Sequence, residues 1–213
     1  MGEQMQTAPM CSQPLAAVTL GLPGGRVRLE PTQEAHVDAL FALGPAADWA
    51  YMSNSPPPTT PALWGRWMAK AWAEAAGGTA LPFTVVVASG NPVGVTRYMD
   101  YLPAHRLIEI GATWLSAGVR RSSANTECKL LLLEHAFEAL GVERVQLKCD
   151  LRNERSQRAI ERIGAVREGV LRRHRVCWDG FVRDTVMYSV VRPEWAGVKR
   201  RLEGMLGVER QER

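Results

Sequence analysis

Histidine and cysteine are scarce in this sequence of 213 residues, with four of each. The cysteines, Cys11, Cys128, Cys149 and Cys177, contain no CxxC pair, and the histidines do not supply the missing ligands, so no metal is expected and the thiols are read as reduced. Long apolar runs are also missing. The weakly apolar stretch 15–22 lacks a preceding Lys or Arg and falls short of the roughly 20 residues that cross a bilayer, so neither export nor a membrane partner is expected and the location is read as cytoplasmic. Charge is nearly balanced at a formal +4, too weak a bias to argue for nucleic acid, though it suits a small polyanion.

What is present is ordinary for a folded α/β domain: 46% apolar and 23% charged residues, in a chain long enough for one buried core. Residues 1–25 are rich in Gln, Pro and Gly without apolar periodicity and read as a loose arm. The fold is expected over 26–195, with a helix and tail over 196–213. Val27 to Leu29 alternates as a strand, and Ala35, Ala39, Leu40 and Leu43 follow at helical spacing. After a proline-rich loop, Leu63, Trp64, Trp67, Met68, Ala71 and Trp72 mark a second helix, whose tryptophans are open to two readings, as core or as pocket lining.

Three strands follow as an antiparallel meander, Phe83 to Ala88, Val93 to Tyr98 and Leu107 to Leu115. A striped helix from about Thr126 to Leu140, a strand through Val145, Leu147 and Cys149, and a helix from about Asn153 to Ile163 come next. Asp179-Gly180 predicts a two-residue hairpin, which would place Trp178 opposite Phe181 and Arg175 opposite Asp184. A short helix begins near Pro193.

Two places carry candidate chemistry. At the first, a strand turns into a helix through Arg120, Arg121, Ser122, Ser123, Ala124 and Asn125, and such a helix start offers free amides and a positive dipole to an anion. A capped loop with solvated arginines would read the same. At the second, Asn153 and Ser156 lie one turn apart at the start of a helix, where they serve either a ligand or merely the first-turn amides.

Taken together, the segments 108–115, 125–132 and 153–160, followed by Ile163-Gly164-Ala165, Glu168-Gly169, 183–186 and Glu194-Trp195, resemble the GNAT superfamily of N-acetyltransferases, in its branch named after the ribosomal-protein N-terminal acetyltransferases RimJ and RimL. The resemblance implies a single domain with a mixed, mostly antiparallel twisted sheet, splayed in the middle and flanked by helices. It implies acetyl-CoA in the gap, with the backbone at Thr113, Trp114 and Leu115 along the pantetheine arm and the loop from Arg120 to Thr126 around the pyrophosphate. Asn153 would bond the pantetheine chain, Ser156 would face the thioester sulfur, and Arg155 or Arg158 would meet the 3′-phosphate.

Departures from the family pattern also matter. Ser123 and Asn125 replace the small residues of the phosphate loop, Ile160 stands where a tyrosine acid is frequent, and Arg175 stands where some ribosomal-protein-acetylating members carry a glutamate base. Glu109 acting through water, or His174, is left to take the proton. Without a dedicated base, an α-amine of pKa about 8 is a better acceptor than a lysine of about 10.4. The resemblance thus implies direct acetyl transfer to an amine, either a protein N-terminus or a small molecule. The alternative is a degenerate relative that senses acyl-CoA. Acids interleaved among the arginines disfavour a nucleic-acid partner, and a homodimer is left open.

Overall fold

A computed structural model describes residues 14–44, 49, 51–52 and 55–208. Eight strands form one sheet: β1 (Leu20–Gly21), β2 (Val27–Pro31), β3 (Leu81–Val87), β4 (Pro92–Leu102), β5 (Leu107–Leu115), β6 (Arg144–Asp150), β7 (Val166–Val176) and β8 (Val182–Val191), in the spatial order β1-β2-β3-β4-β5-β6-β8-β7. All neighbours run antiparallel except β5 and β6. A parallel step needs a crossover. Here α3 (Ala124–Glu134), prolonged by a single π-helical turn at His135–Ala139, supplies it.

Two apolar layers sandwich the sheet. On one face α3, α4 (Glu154–Arg162) and α5 (Trp195–Leu206) cover Phe83, Tyr98, Ile108, Val145, Leu147 and Tyr188 with Leu130, Leu133, Ile160 and Leu202. On the other, α1 (Val37–Ala42) and α2 (Pro61–Ala76) bring Leu40 and Trp64 against Val95 and Trp114. The α2 helix starts as its sequence dictates, with Thr60 accepting from the Leu63 amide at 3.2 Å and Pro61 in the first turn. Thus Trp64 is core, and Trp72 donates its indole N–H to the Thr32 carbonyl at 2.9 Å.

Two expectations change, and one contact goes beyond them. Cys11 and the rest of 1–13 lie outside the described residues, but 14–25 is not loose: the Leu15 amide bonds the Gly78 carbonyl at 3.1 Å, and Leu20 and Gly21 pair with Leu29 and Arg28. Segments this short carry no periodicity to read. Next, the α3 carboxylate Glu127 accepts from the amides of Arg26 and Val27 at 3.1 and 3.4 Å, and a Cβ at Gly25 would strike its oxygen, so Gly25 is fixed by a side chain about a hundred residues away.

The hairpin differs as well. Only Gly180 in its turn is left-handed, at φ +82°, and Cys177 and Phe181 close the loop through the Cys177 amide at 2.8 Å from the Phe181 carbonyl. This makes the loop three residues with a glycine bulge rather than two. The register therefore shifts, so that Arg175 faces Arg183 and not Asp184. Trp178 lies in the loop instead of opposite Phe181. Asp184 instead accepts from the Arg173 amide at 2.6 Å.

Candidate active site

Strands β5 and β6 pair through only three positions, Leu107 with Arg144, Ile108 with Val145 and Glu109 with Gln146. Beyond Glu109 they part. On its other side β5 carries a bulge: Val95 faces Trp114 and Arg97 faces Gly111, so Thr96 alone opposes Ala112 and Thr113, and Ala112 takes φ +46°. A bulge bends its strand and strengthens the local twist, which carries β5 away from β6. A cleft of about 1020 Å³ opens through the sheet, bounded by residues 109–115 on one side and 147–150 on the other. The β5 backbone there has lost its strand partner on that side, and an unpaired strand edge takes an extended ligand by backbone hydrogen bonds.

One mouth of the cleft is the start of α3, where Arg120, Arg121, Ser122 and Asn125 line the opening. Ser122 caps the loop, donating to the Val119 carbonyl at 2.7 Å and accepting from the Ala124 amide at 3.2 Å. The Arg120 Nε donates to the Leu115 carbonyl at 2.8 Å, which ties the loop to the end of β5. Arg121 adopts φ +62°, the turn that a glycine would make without strain. Ala124 and Thr126 are buried behind the loop and Ser123 lies outside the lining, so these three meet a ligand at most through their backbone. Two α4 arginines line the cleft, Arg155 and Arg162, and the Nη2 of Arg162 donates to Thr126 Oγ1 at 2.8 Å beside this mouth. Arg158 does not. Its side chain is 69% exposed and pairs with Glu154 at 3.1 Å, outside the cleft.

Asn153 and Ser156 both line the cleft midway. Asn153 Oδ1 accepts from the Ser156 amide at 3.0 Å, the capping role that the sequence allowed, and its amide nitrogen is left for other partners. The Cys149 thiol lines the same part of the cleft. Burial pushes that thiol up to about 11, against the pull of Ser156, so Cys149 is protonated near neutrality and is a poor acyl acceptor.

Glu109 is 0% exposed and accepts from Lys148 at 2.6 Å and Gln146 at 3.1 Å, both through Oε2. Its Oε1 has no partner among the described residues. Burial raises its pKa above the ordinary carboxylate value; Lys148 and Gln146 oppose the rise and Asp100 adds to it. One oxygen is thus anchored and the other is free to accept a proton. His174 is exposed on β7 and lies outside the lining, and burial together with the charges of Arg175, Lys148 and Arg183 lowers its pKa.

The far wall comprises Tyr51, Met52, Lys70, Glu74, Arg97, Asp150, Arg175 and Arg183 among others. Arg97 pairs with Glu74 at 3.4 Å, and Arg152 clasps Asp150 through two bonds of 3.0 and 2.7 Å. Trp114 lines the cleft and packs on Trp49 and Trp64, so one expected pocket residue is also core. Sequence reasoning passed over Lys148, Lys129, Arg162 and Arg183. Arg162 alone had a readable signal, because it follows Arg155 by seven residues on the same helix face.

A sheet parted in its middle, with a basic helix start at one mouth and a buried carboxylate at the other, fits a long extended ligand that ends in phosphates. The acetyltransferase (GNAT) domain model matches residues 26–166. A GCN5-related N-acetyltransferase of Brucella melitensis has the same fold, with TM-score 0.82 and 32% identity over 91% of this chain and 87% of that one. A provisionally named acetyltransferase of T. thermophilus is 41% identical over 86% of this chain and 95% of its own, with TM-score 0.79. The provisionally named ribosomal N-acetyltransferase YdaF of Bacillus subtilis is 34% identical over 110 residues, 52% of this chain and 59% of the relative, so the chain spans less than two thirds of that relative. This chain belongs to the GNAT acetyltransferase family. Among the described residues no helix is long and apolar enough to cross a membrane.

Proposed function

We propose that this protein transfers an acetyl group from acetyl-CoA to an amine in one step, with both substrates bound together. The observation that carries the reading is the cleft itself, which joins the α3 mouth to Glu109 through the gap between β5 and β6. The chain's residues fit acetyl-CoA: Arg120, Arg121, Arg155 and Arg162 with the first-turn amides of α3 for phosphates, and the open β5 edge with Asn153 for the pantetheine amides. When bound, it supplies an activated thioester carbonyl and a good leaving group.

Glu109 then takes the proton of the attacking amine, directly or through a water, at its free Oε1. A raised pKa makes this carboxylate a stronger base than a solvated one. Ser156 donates a hydrogen bond to the departing sulfur. Cys149, held protonated, is not a relay for the acetyl group, which favours direct transfer over an acyl-enzyme. An α-amine, of pKa about 8, needs only such modest help to be neutral. The name of the YdaF relative, a ribosomal N-acetyltransferase, supports an acceptor that belongs to the ribosome, alongside small amines.

Thiol release from acetyl-CoA, measured with peptides, free amino acids and polyamines and with products identified by mass, tests the reading. Acetylated amine and free thiol are expected in equal amounts. Acetyl-CoA that binds and raises the melting temperature without turnover of any amine would instead make the protein an acyl-CoA sensor.

A further inference from the structure

Arg183 is 5% exposed and lines the cleft on its acceptor side. Its Nε donates to Thr185 Oγ1 at 3.1 Å and its Nη1 makes a long 3.5 Å contact to the Tyr51 carbonyl. A guanidinium offers five N–H donors, so most of its capacity is unspent, and no carboxylate of the described residues lies within ion-pair distance of it. Burying a cation in this condition is costly. Directly across the β7/β8 ladder stands Arg175, which also lines the cleft. Like charges in facing positions destabilise a sheet.

The nearby anions relieve this pair only in part: the charge of Asp150 acts on Arg183, but each of these carboxylates is already engaged elsewhere. Asp150 is clasped by Arg152, Glu109 by Lys148 and Glu74 by Arg97. The lowered pKa of His174, caused by burial and by Arg175, Lys148 and Arg183, registers the same positive field. Two arginines paired across one ladder and both lining the cleft, one of them buried and underused, form a fork that matches a planar carboxylate. A dianion fits less well, because Glu109, Asp100 and Asp150 line the same cleft.

We propose that Arg183 and Arg175 form a carboxylate subsite, and that the acceptor is an amine bearing a carboxylate close to its nitrogen. This rests on the acetyl-transfer reading and narrows it. The carboxylate comes either from a free amino acid or from an acidic first residue of a peptide.

Turnover is compared between peptide amides that begin with Asp or Asn, and between free aspartate, glutamate and serine and their amides. Binding of the N-acetyl-Asp and N-acetyl-Asn peptide amides to the CoA-loaded protein is measured by calorimetry. The carboxylate member of a pair is expected to be favoured about 10- to 100-fold in kcat/KM and in Kd. That preference should fall below about threefold in Arg175→Gln and Arg183→Met, with Arg183→Lys intermediate. Arg175 is exposed, so its variant serves even if Arg183→Met fails to fold. Preference among peptides points to an N-terminus, and preference among free amino acids to a metabolite. Turnover that ignores the carboxylate, or a preference that survives Arg175→Gln, overturns the subsite while acetyl transfer stands. Charge-dependent binding without any turnover overturns acetyl transfer while the subsite stands. Tighter competition by inorganic phosphate than by acetate would also overturn the assignment to a carboxylate.

Discussion

The ammonium of Lys129 ends 2.9 Å from the Thr113 hydroxyl, buried beneath the bulge of β5, and it makes no ion pair among the described residues. Thr113 in turn bonds Thr96 across the ladder at 2.8 Å. Burial pushes Lys129 down to about 8, far from the value near 10.4 that an unfolded chain gives it. Between those two values the unfolded state binds a proton that the folded state does not, so this residue makes stability rise with pH across that window, by about 1.4 kcal/mol per unit at most. Lys129→Met should stabilise the protein at pH 7 by about 1–3 kcal/mol, with the advantage shrinking above pH 8. Urea unfolding of both proteins from pH 7 to 10 checks it; a constant difference would show that Lys129 does not titrate there.

The basic mouth yields a second expectation. Arg121→Glu and Arg162→Glu should each weaken CoA binding at least tenfold, the order lost with a charge-assisted hydrogen bond. Arg158→Glu, outside the cleft, should leave it unchanged. Calorimetric titration at two salt concentrations distinguishes these, and equal losses at all three positions would mean a diffuse field rather than contacts.

Ser156→Ala should lower kcat by about tenfold, below the usual reach of a general acid because a thiolate already leaves readily. CoA affinity should hardly change, the pattern of an interaction made mainly in the transition state. Wild-type turnover with chemistry limiting would reduce Ser156 to a residue that opens a helix.

Glu109→Gln should cost about 10²–10⁴ in kcat if Oε1 takes the proton. Lys148 acts through Glu109, and its charge holds that carboxylate down, so Lys148→Met should shift the acid limb of the pH–rate profile to higher pH. A merely structural lysine would change the rate at every pH and leave the limb in place.

Much of this architecture is legible in the sequence because its signals are local. The α2, α3 and α4 helices and the β3 to β6 strands show their periods within single elements, and Asn153 and Ser156 mark the helix start that the structure contains. The illegible parts depend on tertiary contacts. Ala112 takes a left-handed turn without the glycine that would announce it. Asp179-Gly180 fits a two- and a three-residue loop alike, and only the packed ladder chooses. Lys148 reaches Glu109 because three parallel pairs fix which residues meet across β5 and β6, a relation absent from either strand alone. The arginines of the loop before α3 and of α4 are visible in the sequence, but the division between Arg158, spent on Glu154, and Arg162, turned to Thr126, is decided by where α4 settles.

Trp114 belongs at once to the cleft wall and to a cluster of four indoles, with ring centroids 5.6 Å from Trp64 and 6.4 Å from Trp49, while Trp67 stacks 5.1 Å from Trp64. Four of the chain's seven tryptophans are therefore close enough to share excitation. The buried indole N–H groups of Trp49, Trp64 and Trp114 have no partners among the described residues, so water has little hold on their spectrum. Whatever lies against Trp114 alters the emission of the whole group, and occupancy of the cleft can be followed by intrinsic fluorescence without a label.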